Sequence, residues 1–246
     1  MRIFHVIQHL EREGPGLFSR IAEEKGFITK VCRIDLGNKL PRIRKNDLIL
    51  ILGGPMGIED ISNGKFPWLL DEVNFIKKSI KENIGIIGVC LGAQLLAYAY
   101  GGKIEKLLGG KSLKIEPEVG WSEIIVNPKS SFNQILEEPF YGLHWHSDRI
   151  ILPPSAELIA SSKRCKEQLF KIDESCIGIQ FHIEYEGSMI KKWIKEDYKF
   201  INDALGPQGQ KLLEKQNKLY GEKTIKQRVL FINKLIDLIS SNKKAP

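Results

Sequence analysis

The sequence has no apolar stretch that approaches the roughly 18 uncharged residues of a membrane span. Its N-terminus runs into strand-like residues without the pattern of a signal peptide. The four cysteines are scattered without a CxxC pair or a His-rich tract, which argues against a disulfide framework and a zinc site. There is also no Walker-type phosphate loop. We therefore expect a cytoplasmic protein that holds neither a metal ion nor a cofactor.

Hydrophobic residues make up 42% and charged residues 27% of the 246 residues, which is ordinary for a soluble globular protein. The net charge of +7 is spread through the chain, with modest enrichment in lysine after residue 191. This pattern favours a solvated helical face over a nucleic-acid partner, while an anionic substrate or an acidic partner protein stays open. We expect one domain over 1–246, with a core at about 1–190 and a helical extension at 187–246.

Short β-branched runs alternate with amphipathic stretches through the first hundred residues, which predicts βαβ units and a parallel sheet. Strands are predicted at 2–7, 28–34, 47–52 and 85–89, and helices at 15–25 and 67–81. Later strands at 123–126, 141–145, 157–160, 168–172 and 177–181 predict a smaller antiparallel or mixed extension of the sheet. Beyond residue 187 the pattern is helical, with a break at 205–209. The predicted class is α/β, with an open, mostly parallel central sheet flanked by helices.

Cys90 stands where a buried strand runs directly into a helix, with Gly88 and Gly92 two residues away on either side. Glycines at this spacing let a strand reverse tightly into a helix, as in the G-x-S-x-G turn of hydrolases. The turn would expose the sulfur, and the helix N-terminus favours the nucleophilic thiolate. The backbone amide of Leu91 would point to where an oxyanion forms. Simple packing is the alternative, and it is our expectation for the other cysteines.

A second glycine turn, at Gly53 and Gly54, follows another buried strand at the same predicted edge of the sheet. Most such turns only reverse the chain. This one indicates a site because it lies at the same edge of the sheet as Cys90. We expect Gly54 to offer a second oxyanion amide and Gly53 to lie beside the substrate.

A thiol that attacks an amide needs a base that passes the proton to the leaving nitrogen. His182 is the best candidate, because it ends an apolar strand two residues before Glu184. In an extended chain both side chains face the same side, so Glu184 could bind one imidazole nitrogen while the other meets the thiol. The alternative is a strand-end pair that only meets solvent. His5 and His9 are predicted to be structural or exposed, with no site beside them.

The segment 143–148 carries two further histidines. His144 and His146 could bind a metal ion, but no third ligand stands at a useful spacing in the sequence. We therefore predict that this segment lines the pocket. His144, His146, Ser147 and Asp148 would then place the charged end of a small-molecule substrate, with Trp145 alternating inward or outward.

These motifs occur in order between about residues 47 and 184, as GGPMG, GVCLGAQLLAYAYGGKI, EVGW, LHWHSD and GIQFHIE. Together they resemble the class I (triad) glutamine amidotransferases, specifically stand-alone proteins similar to the glutaminase domain of GMP synthase. The resemblance implies a flavodoxin-like, class I glutamine amidotransferase fold. It also implies that Cys90 attacks the glutamine side-chain carbonyl to form a γ-glutamyl thioester and release ammonia, with His182 as acid and base and Glu184 orienting it. Gln94 would help to hold the substrate.

Two features depart from the family pattern. Ser147 stands where the family often has glycine, and the lysine-rich segment after Gly187 has no assignable counterpart. Too few residues follow Glu184 for an ATP-dependent synthetase, so we expect any synthetase to be a separate chain. A γ-glutamyl peptidase or hydrolase is the alternative function. A non-enzymatic regulatory protein on the same fold is a third hypothesis, and the complete catalytic set argues against it.

Overall fold

The computed structural model describes residues 1–110 and 113–241. Its strands are β1 (Arg2–Gln8), β2 (Phe27–Arg33), β3 (Leu48–Ile51), β4 (Gly85–Val89), β5 (Lys103–Lys106), β6 (Glu118–Val126), β7 (Phe140–His146), β8 (Asp148–Ile151), β9 (Ala156–Ser161), β10 (Leu169–Ile172) and β11 (Cys176–Ile179). Its α-helices are α1 (Leu17–Glu24), α2 (Asp60–Asn63), α3 (Trp68–Lys81), α4 (Leu91–Ala99), α5 (Met189–Glu196), α6 (Tyr198–Leu205), α7 (Gly209–Gln216) and α8 (Ile225–Ser241). No helix within the described residues has both the length and the apolarity that a membrane crossing requires.

Nine strands form one sheet in the order β2-β1-β3-β4-β11-β10-β9-β6-β7. The pairs from β2 to β11 are parallel, and those from β11 to β7 are antiparallel. The predicted α/β class, with a mostly parallel sheet and an antiparallel extension, is confirmed. Strands β5 and β8 pair with each other as a small second sheet, which the sequence did not predict. β4 has the predicted bounds, whereas β6 begins earlier than expected, at Glu118.

Helices cover both faces of the parallel strands because successive strand residues point to opposite sides. In β3, Leu48 and Leu50 pack in one core layer, which also holds apolar residues of α1 and α8. Ile49 and Ile51 pack in the other layer, with α3 and α4. All four side chains are fully buried. The uninterrupted apolar run of β3 is therefore explained by burial on both faces.

The parallel strands β1, β3, β4 and β11 end at one edge of the sheet, where their following loops converge. This is the edge at which open α/β sheets place their binding crevice. Helices α5 and α7 pack beside it on β6 and β7 through a third apolar cluster that includes Trp121, Leu143, Trp193 and Leu213. The first part of the helical extension therefore lies against the strands that end near the crevice.

Candidate active site

Cys90 occupies the sharp turn between β4 and α4. Its backbone has φ 52° and ψ −108°, and residues other than glycine rarely adopt a positive φ. The turn is held by the Cys90 amide, which donates to the Ile179 carbonyl at 2.8 Å. The Gln94 amide donates to the Cys90 carbonyl at 3.1 Å. A strained backbone fixed from both sides is typical of functional positions.

Gly88 and Gly92 allow this turn for steric reasons. A methyl group built on Gly88 would overlap the carbonyl of Gly92, and one built on Gly92 would overlap the carbonyl of Ile51 in β3. The first turn of α4 therefore rests directly on the backbone of the sheet. Any larger residue at either position would push the helix, and Cys90 with it, away from its place.

His182 and Glu184 follow β11 in an extended segment. The His182 amide donates to the Leu143 carbonyl at 2.7 Å, which ties this segment to β7. Nδ1 of His182 lies 2.6 Å from Oε1 of Glu184, and Oε2 of Glu184 accepts the Ile183 amide at 2.9 Å. Both side chains are buried. The imidazole is thus held in one orientation by a carboxylate that is itself fixed.

The electrostatics of this pair follow from burial and mutual attraction. Burial alone lowers the pKa of His182, but Glu184 and the hydrogen-bonding Cys90 side chain outweigh it and hold the pKa well above its ordinary value. Burial raises the pKa of Glu184, but the His182 imidazole outweighs it and the pKa is lowered. The imidazole therefore binds the carboxylate on one side and has the Cys90 side chain close by.

Arg228, in α8, supports this segment from behind. Its guanidinium donates to the carbonyl oxygens of Ile183 at 3.0 Å and Tyr185 at 2.6 Å, which flank Glu184. The Glu184 carbonyl in turn accepts the Leu17 amide of α1 at 2.9 Å. The backbone that carries Glu184 is therefore held by both α8 and α1.

A cleft of about 250 Å³ opens over Cys90. It is lined by Arg12, Glu13, Gly54, Pro55, Met56, Cys90, Leu91, Gln94, Trp145, His146, Ser147, Asp148, His182, Asp197 and Phe200. Six residues expected to surround the substrate thus lie in the lining: Gly54, Leu91, Gln94, His146, Ser147 and Asp148. Gly53 and His144 lie outside it. Gly53 is packed behind the cleft, against the side chains of Cys90 and His182.

His144 is instead buried beside Glu118 and His146, with Nδ1 3.4 Å from Oε2 of Glu118. One ligand atom from each of these three residues lies within 4.8 Å of the others, so they could hold a metal ion. Glu118 is the third candidate ligand, which sequence spacing did not reveal. Its Oε2 already accepts hydrogen bonds from Ser162 and Gln168, both at 2.9 Å. The carboxylate is therefore satisfied by protein donors as it stands.

The fold and this geometry can be compared with known proteins. The glutamine amidotransferase class-I family model matches residues 18–199. The chain belongs to the class I glutamine amidotransferases. This match reaches past Gly187 into the first helices of the extension, further than the motifs that suggested the resemblance. Part of the lysine-rich segment therefore does have a counterpart in the family.

Known proteins similar to this chain carry several names. The glutamine amidotransferase-like protein YfeJ of Salmonella typhimurium is 24% identical over 84% of this chain and 85% of its own length. One subunit of the glutamine-hydrolyzing GMP synthase of Methanobrevibacter smithii is 34% identical over 57% of this chain and 65% of its own. γ-Glutamyl peptidase 2 of Arabidopsis thaliana is 25% identical, over 56% of each chain. A crystal structure of a glutamine amidotransferase from Thermotoga maritima is 27% identical, with a TM-score of 0.81 over 98% of this chain and 99% of that one.

Four lining residues lie outside every segment that the sequence analysis assigned to the site: Arg12, Glu13, Asp197 and Phe200. The first two lie in the loop after β1, and the others lie at the start of α6 and within it. The loop could have been found, because it follows a buried parallel strand, as the turn at Gly53 does. The sequence held no comparable signal for Asp197, which lies among alternating charges of a helical segment.

His9 corrects the expectation that no site lies beside the first strand. Its side chain is buried, with Nδ1 2.9 Å from the Gly53 carbonyl and Nε2 3.0 Å from Glu72. Burial lowers its pKa, but Glu72 outweighs it and the pKa is raised. His5 is also buried, with Nε2 3.2 Å from Asp47. Both are structural rather than exposed, and His9 braces the glycine turn of the cleft.

Proposed function

We propose that this protein hydrolyses the side-chain amide of glutamine, or a related γ-glutamyl amide, through a thioester on Cys90. The arrangement of Cys90, His182 and Glu184 carries the proposal. The thiol stands on a strained strand-to-helix turn and lines the same cleft as an imidazole that a buried carboxylate orients at 2.6 Å. This is the relation of nucleophile, base and orienting acid that acyl transfer from an amide requires.

In the first half of the reaction, the Cys90 sulfur bonds to the amide carbon and its proton rests on His182. His182 then gives this proton to the leaving nitrogen as the carbon–nitrogen bond breaks, which releases ammonia or an amine and leaves the γ-glutamyl thioester. In the second half, His182 takes a proton from water as the water oxygen attacks the thioester carbon. The carbon–sulfur bond breaks, glutamate leaves, and the proton returns to the sulfur.

The oxyanion that forms in each half needs donors fixed in place beforehand. We assign this role to the backbone amides of Gly54 and Leu91. Both residues line the cleft, and a methyl group built on Gly54 would lie 3.2 Å from Cδ2 of Leu91, so the two turns are in contact. Gln94, one turn along α4, lines the same cleft, and we assign it to contact with the substrate. Its side-chain nitrogen, Nε2, donates to Oε1 of Gln180 at 3.4 Å, and this bond orients the side chain.

The fate of the γ-glutamyl and ammonia groups separates two forms of the proposal. The GMP synthase subunits among the relatives favour delivery of ammonia to a separate synthetase chain. The γ-glutamyl peptidase relatives favour γ-glutamyl compounds as substrates in their own right. Turnover of glutamine and of γ-glutamyl dipeptides by the same preparation decides between them. Much faster turnover of the dipeptides supports a peptidase, and slow hydrolysis of glutamine alone supports a glutaminase that awaits its synthetase partner.

Alkylation by a chloroketone analogue of glutamine, followed by peptide mass spectrometry, tests the proposal directly. We expect one adduct, on Cys90. Burial raises the pKa of Cys165 to about 12 and that of Cys176 to about 11, so these thiols stay protonated and unreactive near neutrality. Cys90→Ala should abolish labelling and turnover, whereas the matched variant Cys165→Ala should keep both. Folded wild-type protein that gains no adduct on Cys90 contradicts the proposal.

A further inference from the structure

One wall of the cleft carries charged residues that the proposed reaction does not use. Glu13 and Arg12 come from the loop after β1, and Asp197 comes from the junction of α5 and α6. Nη2 of Arg12 lies 2.6 Å from Oδ2 of Asp197 and 3.8 Å from Oε1 of Glu13. Nη1 of Arg12 also lies 3.4 Å from Oε2 of Glu196. Three carboxylates thus share one guanidinium, so this wall has an excess of negative charge at the cleft.

Glu13 is the least satisfied member of this group. Its side chain is only 8% exposed, and no hydrogen bond to its carboxylate occurs among residues 1–110 and 113–241. Burial raises its pKa, although His182 and Arg12 act in the opposite direction. A carboxylate that is mostly removed from water without a hydrogen-bond donor is unfavourable unless a ligand supplies one.

The position of Glu13 relative to Cys90 shows which part of a substrate it would meet. A methyl group built on Gly53 would overlap Oε2 of Glu13 and lie 3.1 Å from Cε1 of His182 and 3.4 Å from Cβ of Cys90. The Glu13 carboxylate therefore lies one small group away from the reacting residues. In an extended glutamine, the α-nitrogen lies about 5 Å from the side-chain carbonyl carbon. A γ-glutamyl group on Cys90 can therefore bring its α-ammonium to this wall.

The other members of the wall are held rigidly. Oδ2 of Asp197 accepts a hydrogen bond from Nε1 of Trp145 at 2.8 Å in addition to its contact with Arg12. The carbonyl of Arg12 accepts Nε1 of Trp193 at 2.9 Å. Asp197 is thereby fixed at the cleft by Arg12 and Trp145. A fixed carboxylate loses little side-chain entropy when it binds a ligand.

We propose that Glu13 and Asp197 form a binding site for the α-ammonium group of a γ-glutamyl substrate. Arg12 is a positioning residue that holds both carboxylates apart and in place. This inference rests on the proposed function, since it takes Cys90 as the point where the γ-carbonyl binds. It restricts the substrates to γ-glutamyl compounds with a free α-amino group. Part of this selectivity would then come from the helical extension, which supplies Asp197.

Binding to the Cys90→Ser protein, measured by calorimetry, tests the site without turnover. The ligands are L-glutamine and 4-carbamoylbutanoate, which is glutamine without its α-amino group. We expect glutamine to bind at least about tenfold more tightly, as the loss of a charge-assisted hydrogen bond implies. Adding Glu13→Gln should weaken glutamine binding roughly 10- to 100-fold and leave 4-carbamoylbutanoate nearly unchanged. Asp197→Asn should act in the same direction.

Glu11→Gln is the matched control, because Glu11 lies in the same loop but its side chain is 75% exposed and faces Lys192 at the surface. It should change neither affinity. Equal binding of the two ligands, or equal losses for both after Glu13→Gln, overturns the inference. The ligand comparison in Cys90→Ser protein does not depend on how well the Glu13 variant folds. If Cys90 is alkylated by the glutamine analogue but binding ignores the α-amino group, this inference alone fails. If labelling is also absent, the proposed function fails with it.

Discussion

Replacing Arg228 by methionine should destabilise the protein and disturb the segment that carries Glu184. Arg228 is fully enclosed, and its guanidinium donates to the carbonyls of Ile183, Tyr185 and Gly221 at 3.0, 2.6 and 2.9 Å. Methionine fills most of the apolar volume but donates nothing. The variant therefore isolates the loss of these donors from the loss of packing.

The expected magnitude follows from the number of acceptors that lose their partner. Each buried carbonyl without a donor costs about 1–3 kcal/mol, and local rearrangement recovers part of the total. The contact of the guanidinium with the Tyr185 ring, at 3.8 Å from its centroid, is lost as well. We expect the free energy of unfolding to fall by about 3–5 kcal/mol after this partial recovery. This is a large part of the roughly 5–15 kcal/mol typical of a folded domain.

Urea unfolding followed by fluorescence and circular dichroism measures this loss, with coincidence of the two transitions as the check for two-state behaviour. Lys226→Met is the matched control, since Lys226 lies two residues earlier in α8 and is exposed. It should change stability by no more than about 0.5 kcal/mol. An Arg228→Met protein as stable as this control would show that the three carbonyls do not depend on the guanidinium. Slower labelling of Cys90 in the folded Arg228 variant should accompany the loss.

Gly92→Ala should lower the free energy of unfolding by about 1–3 kcal/mol and slow labelling of Cys90, because the added methyl group would meet the backbone of β3. The control Gly110→Ala, whose methyl group would meet no atom of the described residues within 4 Å, should do neither. Thermal unfolding and labelling assays measure both effects. Burial opposes ionisation of Glu118, but the interaction with His146 outweighs burial, and the pKa of Glu118 falls from 4.5 to about 2. The ionised carboxylate therefore contributes stability above pH 4.5, and this contribution is lost as the pH falls toward 2. Glu118→Gln should therefore weaken the fold near neutrality and reduce the further loss between about pH 5 and 3 in urea titrations; an unchanged acid slope would contradict this. Glu184→Gln should lower the pKa of His182, because Glu184 is the main cause that raises it; NMR titration of the imidazole measures the direction, and a pKa that stays in place would refute it.

The parts of the site that sequence reasoning could reach are those fixed by local backbone geometry. The turn at Cys90 is encoded by Gly88 and Gly92, because contacts within a few residues and with the adjoining strand exclude larger side chains. His182 and Glu184 share a side because an extended chain alternates with a period of two. Likewise, the central parallel strands β3 and β4 could be predicted from their apolar runs, since burial on both faces leaves no polar positions.

The charged wall of the cleft could not be predicted in this way. Glu13 and Asp197 are separated by most of the chain, and each is an ordinary charged residue in its own segment. Their proximity comes from the packing of α5 and α6 against the loop after β1, which no spacing rule describes. Glu118, the third candidate ligand beside His144 and His146, could not be predicted for the same reason. It reaches the two histidines only through the pairing of β6 with β7.

The helical extension has a physical reason to be present in a chain whose reacting residues all precede it. A buried imidazole and carboxylate repay their loss of hydration only when their geometry is well held. Trp193 packs its ring edge-on against His182, with 4.8 Å between centroids, and Arg228 binds the carbonyls on either side of Glu184. Both come from the extension, as does Asp197 at the cleft. Removal of these helices would expose the imidazole to water and free its segment, so a chain that ends after Glu184 should lose reactivity at Cys90 even where β4 and α4 stay folded.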